Sequence, residues 1–280
     1  MSMRIIRIIN NNVVSCKDEE NKEIVVMGSG IGFQRKLGDK IEEQKIEKKF
    51  LLFTDGQMEQ WKVLAERIPY SYIKTTNEII SYARASLHKK LNDSIYITLA
   101  DHLNFAIERQ KEGLIFQNKL LWEIKRFYNH EFMIGIEALS IVKYNLGVQL
   151  SEDEAGFIAL HIITAEMDTD IEWSMTMTTI IQGILNIIKF YYGIILDEDT
   201  INYERFVTHL KFFIQRAIGK KFYETGDSEF YEMVKSQYQD EYACAEKISS
   251  YISDKMDYQV TQEELIYLTI HIRRVIPINS

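Results

Sequence analysis

The rhythm of apolar and polar positions changes once along the chain, near residue 54. Before it, apolar residues come in short β-branched runs: Ile5–Ile9, Val13–Ser15, Ile24–Met27 and Phe50–Phe53. Turn-forming stretches separate them, at Asn10-Asn11-Asn12, Lys17–Asn21 and Gly28-Ser29-Gly30-Ile31-Gly32. Runs of this length between turns predict the strands of a small antiparallel sheet. About 50 residues make a thin core for a lone sheet, so dimerisation of this part is expected. Residues 54–68 read as a polar connector around Trp61.

From about Pro69 apolar positions recur at helical spacing. Proline is nearly absent, with only Pro69 and Pro277 in the chain. The periodicity predicts helices at Asn77–Leu91, Ser94–Gln110, Leu121–Asn129, Gly135–Tyr144 and Asp153–Glu166. It predicts more at Met177–Tyr191, Tyr203–Ile218, Phe230–Asp257 and Gln262–Arg274. Ser151-Glu152-Asp153-Glu154 and Thr261-Gln262-Glu263-Glu264 both fit a capping box, a Ser/Thr followed three residues later by Glu.

The helical part is a repeat. Asp101-His102-Leu103-Asn104-Phe105-Ala106-Ile107-Glu108-Arg109 returns 107 residues later as Thr208-His209-Leu210-Lys211-Phe212-Phe213-Ile214-Gln215-Arg216. Gly156-Phe157-Ile158-Ala159-Leu160-His161-Ile162 returns at an offset of 110 as Ile266-Tyr267-Leu268-Thr269-Ile270-His271-Ile272. Two like modules follow one another, each with two histidines in matching slots. The expected architecture is therefore multidomain: a small all-β, dimeric antiparallel-sheet domain at 1–56, a linker at 57–68, and two all-α helical bundles at 69–172 and 173–280.

Composition narrows the chemistry. The net charge of −8 argues against a general polyanion binder, but it is uneven. The first 56 residues carry +1 and the remainder −9, which permits nucleic-acid contact by the N-terminal part. Two isolated cysteines, Cys16 and Cys244, suit a reducing compartment. The start, Met-Ser-Met-Arg, has no sustained apolar region of a secretory signal, so a cytoplasmic protein is expected. The most apolar stretch, Met175 to Leu196, holds Gln182, Asn186 and Lys189, and reads as a buried helix rather than a membrane span.

The duplicated histidines carry the candidate chemistry. Singly, His161 or His271 would read as a hydrogen-bonded core residue. As a repeated set they invite three other readings. Metal binding lacks any His-x3-His or Cys-x2-Cys spacing. Enzyme catalysis lacks a nucleophile elbow, a Walker loop or a dinucleotide fingerprint, so no catalytic residue and no cofactor are expected. Reversible phosphorylation fits an imidazole with an ordinary pKa near 6.5. It would add roughly −1.5 to −2 charges at one spot. Arg109 and Arg216 stand seven residues after His102 and His209, close to two helical turns, and can support a phosphate there. His88 and His130 have no counterpart and read as surface or structural.

Over essentially its full length the chain resembles the bacterial antiterminators of β-glucoside and sucrose operons. The residues that carry the resemblance are Ile8-Ile9-Asn10-Asn11-Asn12-Val13-Val14, Val25-Val26-Met27-Gly28-Ser29-Gly30-Ile31-Gly32-Phe33-Gln34, Lys90-Leu91-Asn92-Asp93-Ser94-Ile95-Tyr96, the segments around His102 and His161, and Arg205-Phe206-Val207-Thr208-His209. The resemblance implies a homodimeric N-terminal domain that binds a leader-mRNA hairpin and so prevents terminator formation. It implies two regulation domains phosphorylated by the sugar phosphotransferase system. His102 and His161 match the sites through which the sugar-specific transporter component inhibits. His209 and His271 match those through which the general phosphocarrier protein activates. Arg7, Asn12, Gly28, Gly30, Phe33 and Gln34 match RNA-facing positions. Amide hydrogen bonding and aromatic stacking suit an RNA loop or bulge, although Phe33 fits a sheet core equally well. Ser29 departs from the arginine of close relatives, which removes a cationic contact. Two other readings stay open: a DNA-binding activator with the same regulation modules, and a phosphocarrier that passes its phosphate onward.

Overall fold

A computed structural model describes residues 3–18, 21–51, 61, 63–218 and 228–277. The chain forms two compact units, Met1–Ile171 and Glu172–Ser280.

The first unit opens with four strands, β1 (Ile5–Asn10), β2 (Val13–Lys17), β3 (Glu23–Met27) and β4 (Lys48–Leu51), in an antiparallel meander of order β1-β2-β3-β4. Leu52 and Phe53, which the sequence reading included in the last strand, lie outside the described residues. In the register, Val14 lies opposite Val26 and Val25 opposite Phe50. Two-residue alternation sends Val14, Cys16, Ile24 and Val26 to one face, where Ile5, Ile31 and Ile41 complete an apolar core. Val13, Ser15, Val25 and Met27 on the other face are buried as well.

The cover for that second face comes from the chain's own helical part. The Phe50 ring lies 4.3 Å from Trp61 and meets Tyr96 edge-on at 4.7 Å. Lys48 places its ammonium 5.2 Å from the centre of the Tyr96 ring. The segment read as a polar connector thus buries Trp61, Leu64, Ala65 and Ile68. Spacing alone could not reveal this, because Trp61 packs on Phe50 of the sheet.

Among the described residues the first unit continues with α1 (Tyr70–Leu87), α2 (Ile95–Lys111), α3 (Leu121–Phe127), α4 (Asn129–Leu146) and α5 (Glu152–Met167). Helix α1 starts earlier than periodicity suggests, directly after Pro69, and ends where His88 turns left-handed (φ 53°). Helix α5 is the central one, with Ala155, Ile158, Ala159, Leu160 and Ile162 all fully buried against its neighbours α2, α3 and α4.

In the second unit α6 (Ile171–Tyr192, entering at Glu172) buries Met177, Ile180, Ile181, Ile184 and Ile188 along one face. It packs close to α9, where a Cβ on Gly183 would meet the Tyr251 hydroxyl. Helices α7 (Ile201–Ile218), α8 (Ser228–Gln237), α9 (Gln239–Met256) and α10 (Gln262–Val275) follow among the described residues of this unit. The single helix expected over Phe230–Asp257 is two, broken at Tyr238 (φ −123°, ψ 54°). Tyr128 breaks the first module between α3 and α4 in the same conformation (φ −131°, ψ 47°), 110 residues earlier. The break is thus part of the repeat, although neither position carries a glycine or proline. No helix among the described residues is long and apolar enough to cross a membrane.

Candidate functional site

The histidines meet in pairs. In the first module α2 and α5 run in opposite directions, bringing the ring centres of His102 and His161 to 4.9 Å. Phe157, one turn before His161, lies 5.7 Å from His102. In the second module α7 and α10 bring His209 and His271 to 4.4 Å. Tyr267, at the position of Phe157, meets His209 edge-on at 5.4 Å, and Phe206 stacks on His271 at 6.0 Å.

The surroundings of the two pairs differ in charge. Helical spacing puts Arg109 two turns beyond His102 and Glu154 two turns before His161, so the four side chains converge. One carboxylate oxygen of Glu154 accepts from Arg109, and the other lies 3.0 Å from His102 Nε2. That oxygen and that nitrogen are enclosed without an aligned hydrogen bond. The Arg109 guanidinium is buried between the rings of Phe105 (4.7 Å) and Phe116 (4.2 Å).

Glu154 therefore does not close the capping box expected of it. Ser151 makes no side-chain cap, the Glu154 N–H donating to the Ser151 carbonyl oxygen instead (3.1 Å), and the Glu154 carboxylate is committed to Arg109. In the second module the box forms. Thr261 Oγ1 accepts from Glu264 N, and Glu264 accepts from Thr261 N at 3.0 Å and from the Tyr258 hydroxyl. Arg216 lines a pocket of about 430 Å³ with Thr261, Glu263, Glu264 and Tyr267. No ion pair to Arg216 exists among the described residues.

Burial decides the protonation of the inner histidines. It pushes His161 down to about 3, with His102 adding to the effect, and His271 down to about 4, with His209 and Arg274 adding. His209 is lowered too, by burial and then by Arg216, Arg205 and Arg274. Near neutral pH His161, His209 and His271 are thus uncharged and keep a nucleophilic lone pair.

This carries a stability consequence. A histidine whose folded pKa is lowered contributes stability that is complete above its unfolded value near 6.5 and is lost as pH falls below it. Between pH 7 and 5 each inner histidine should cost its module roughly 2 kcal/mol. Urea unfolding at the two pH values measures this. His161→Gln and His271→Gln should each flatten the dependence, and an unchanged slope would show that neither histidine is buried neutral.

His130 is exposed with its Nε2 2.9 Å from Ser86 Oγ, and His88 is exposed at the end of α1. Both fit a surface or structural reading. Among the described residues no cluster of His, Cys, Asp or Glu could hold a metal ion.

A second candidate site is the loop after β3. Gly28 N donates to Asn12 O (2.9 Å), Gly30 N to Asn12 Oδ1 (2.8 Å) and Gly32 N to Asn11 O (3.0 Å). The β1–β2 turn thus clamps the glycine loop, and the Asn12 amide oxygen is spent within the protein. The clamp is itself anchored. Asn10 Oδ1 accepts from Asn12 N (2.8 Å), while Asn10 Nδ2 donates to Ala65 O (2.6 Å). A continuous hydrogen-bonded path therefore links residue 65, beside the first helical module, to the loop. Asn10 was missed in the sequence, because its partner lies 55 residues away.

Phe33 is 55% exposed and Gln34 is exposed with φ 53°, so both project from the loop rather than into the sheet core. Gly30 (φ 66°) has open space around it. Gly28 is buried and shapes the loop from within. Arg7 is exposed on β1, 4.0 Å from Glu23. Arg7, Gly30, Phe33 and Gln34 are available to a ligand, and Gly28 and Asn12 hold the frame.

Comparison with known proteins places this geometry. The CAT RNA binding domain family matches residues 3–59, and the PRD domain family matches residues 77–165 and 182–275. The chain is 48% identical to the transcription antiterminator LicT of Bacillus subtilis (strain 168), over 98% of this chain and 99% of that one. It is 45% identical to the beta-glucoside operon antiterminator of Dickeya chrysanthemi, over 98% and 96%. The crystal structure of GlcT CAT-PRDI superposes with a TM-score of 0.54 at 34% identity, covering 59% of this chain and 99% of that one. With the clamped loop in the first segment and a histidine pair in each of the two segments that follow, the chain belongs to the family of transcriptional antiterminators built from a CAT RNA-binding domain and two PRD domains.

Proposed function

We propose that the protein binds a hairpin of leader mRNA as a homodimer and thereby keeps the overlapping terminator from forming. His102, His161, His209 and His271 are its phosphorylation sites and set its activity, with Arg109 and Arg216 supporting the phosphate. The donors are the sugar-specific transporter component for the first pair, with an inhibitory effect, and the general phosphocarrier protein for the second, with an activating effect. The working domain division is 1–56, 57–68, 69–172 and 173–280.

The observation that carries this reading is the recurrence, in two modules, of two imidazoles packed ring to ring with an arginine two turns away. A phosphate placed between two packed helices adds charge where the packing is tight, and so can shift the balance between two arrangements. A DNA-reading helix-turn-helix finds no support: residues 3–51 hold no helix, among those described, beyond the single turn Glu43–Lys45.

A gel-shift titration of the full chain against a leader hairpin, with duplex DNA of equal length as control, tests the RNA target. A transcription reporter carrying His209→Ala or His271→Ala should fail to be activated, and one carrying His102→Ala or His161→Ala should escape inhibition without sugar. Four unchanged reporters would remove the phosphorylation switch. Phe33→Ala should weaken hairpin binding by about 1–3 kcal/mol, the usual worth of one base stacked on an aromatic ring. Thermal stability should stay the same, since the ring is mostly exposed. Unaltered affinity would show that the ring does not stack on RNA.

A further inference from the structure

Glu154 and Glu264 occupy the same position in the repeat, seven residues before the second histidine of each pair, and do different things. Glu264 is turned back to close the cap of its own helix and to accept from Tyr258. Glu154 is turned into the histidine site, with one oxygen on Arg109 and the other 3.0 Å from His102 Nε2. That nitrogen is enclosed, and a carboxylate stands over it. Around His209 the charged groups that act are instead the guanidiniums of Arg216, Arg205 and Arg274.

An incoming phosphoryl group brings roughly two negative charges. It is drawn to His209 and repelled at His102. We propose that Glu154 is a gate on the first module: His102 accepts phosphate at Nε2 only after this carboxylate has moved off, so the second module is phosphorylated first. The proposal rests on the reading of these histidines as phosphoacceptors and deepens it. It also gives Arg109 two partners in turn. In the closed state one guanidinium nitrogen holds one oxygen of Glu154, and in the open state the guanidinium is free to hold the new phosphate, whose oxygens can accept from two of its N–H groups.

The experiment uses the full chain and phosphoramidate, a small donor that needs no protein partner. The imidazole Nε2 lone pair attacks phosphorus. The phosphorus–nitrogen bond breaks with its electron pair leaving on nitrogen. Ammonia departs, and the proton displaced from the imidazole goes to solvent or to that ammonia. Mass spectrometry assigns phosphate to each histidine over time, so His209 serves as the reference for His102 in the same molecule.

Wild type should label His209 faster than His102 by about tenfold or more, given a like charge so close to the accepting nitrogen. Glu154→Gln should raise the His102 rate by a similar factor and leave the His209 rate alone. A merely structural role would not change that ratio selectively. If the single variant unfolds, the paired Glu154→Gln/Arg109→Gln variant removes both buried charges and must still raise His102 relative to His209. Equal labelling of His102 and His209 in wild type, or an unmoved ratio in the folded variant, overturns the gate. Labelling of His209 with an ungated His102 leaves the phosphoacceptor reading standing. No phosphate on any of the four histidines overturns that reading itself, and the gate with it.

Discussion

Gly28→Ala is expected to destabilise the sheet domain by about 3 kcal/mol or more, the upper range of core overpacking, and to abolish hairpin binding. A Cβ at Gly28 would stand 1.7 Å from the Lys45 carbonyl oxygen and 2.8 Å from its carbon. Both are backbone atoms, so no rotamer change relieves the clash. Two hydrogen bonds hold the backbones in this approach: Glu47 N to Met27 O and Gly28 N to Asn12 O, each 2.9 Å. Separating them releases the clamp on the loop that displays Phe33 and Gln34. Gly30→Ala is the control. Its Cβ meets nothing within 4 Å, and only the left-handed φ of 66° opposes it. That should cost about 1 kcal/mol. Thermal melts and hairpin titrations of both variants decide the matter. If the two glycines prove equally tolerant, the close approach of Gly28 to residue 45 is not what shapes the loop.

Arg109→Met should cost the first helical module about 3–5 kcal/mol, because it strands the buried Glu154 carboxylate beside an apolar side chain. Phe105 and Phe116 lose their cation as well. Arg216→Met, at the matching place in the repeat, should cost under about 1 kcal/mol. That guanidinium lines an open pocket, and Glu264 remains satisfied by Thr261 and Tyr258 without it. Hydrogen exchange separates the modules, since amides of α5 report one and amides of α10 the other. A large loss of protection in α10 for Arg216→Met, or none in α5 for Arg109→Met, would contradict the difference seen between the two sites.

Much of the architecture was readable in the chain because it rests on local periodicity. The two-residue alternation of Val13–Cys16 and Ile24–Met27 marks paired strands. The recurring apolar positions of 77–166 and 177–274 mark helices. The duplicated His-x6-Arg and the paired second histidines mark both modules. Where local signals were absent, the reading slipped. Tyr238 interrupts a helix without a glycine or proline, and only its correspondence to Tyr128 betrays the break. Trp61 reads as connector because its packing partner, Phe50, lies on a strand of the sheet rather than on a helix.

The sequence by itself determined most element types, the two-copy helical design with its four matching histidines, and the glycine loop. Each of these is written in short-range spacing, which the geometry of a helix or strand converts directly into a shared face. Only the tertiary structure decided how identical motifs are used. Ser151–Glu154 and Thr261–Glu264 are the same capping signal, yet one glutamate caps its helix and the other crosses 45 residues of chain to a buried arginine. The physical reason is competition. A carboxylate takes the partner that best offsets its desolvation, and whether a buried cation lies within reach is settled by packing between helices, not by the four residues that spell the cap.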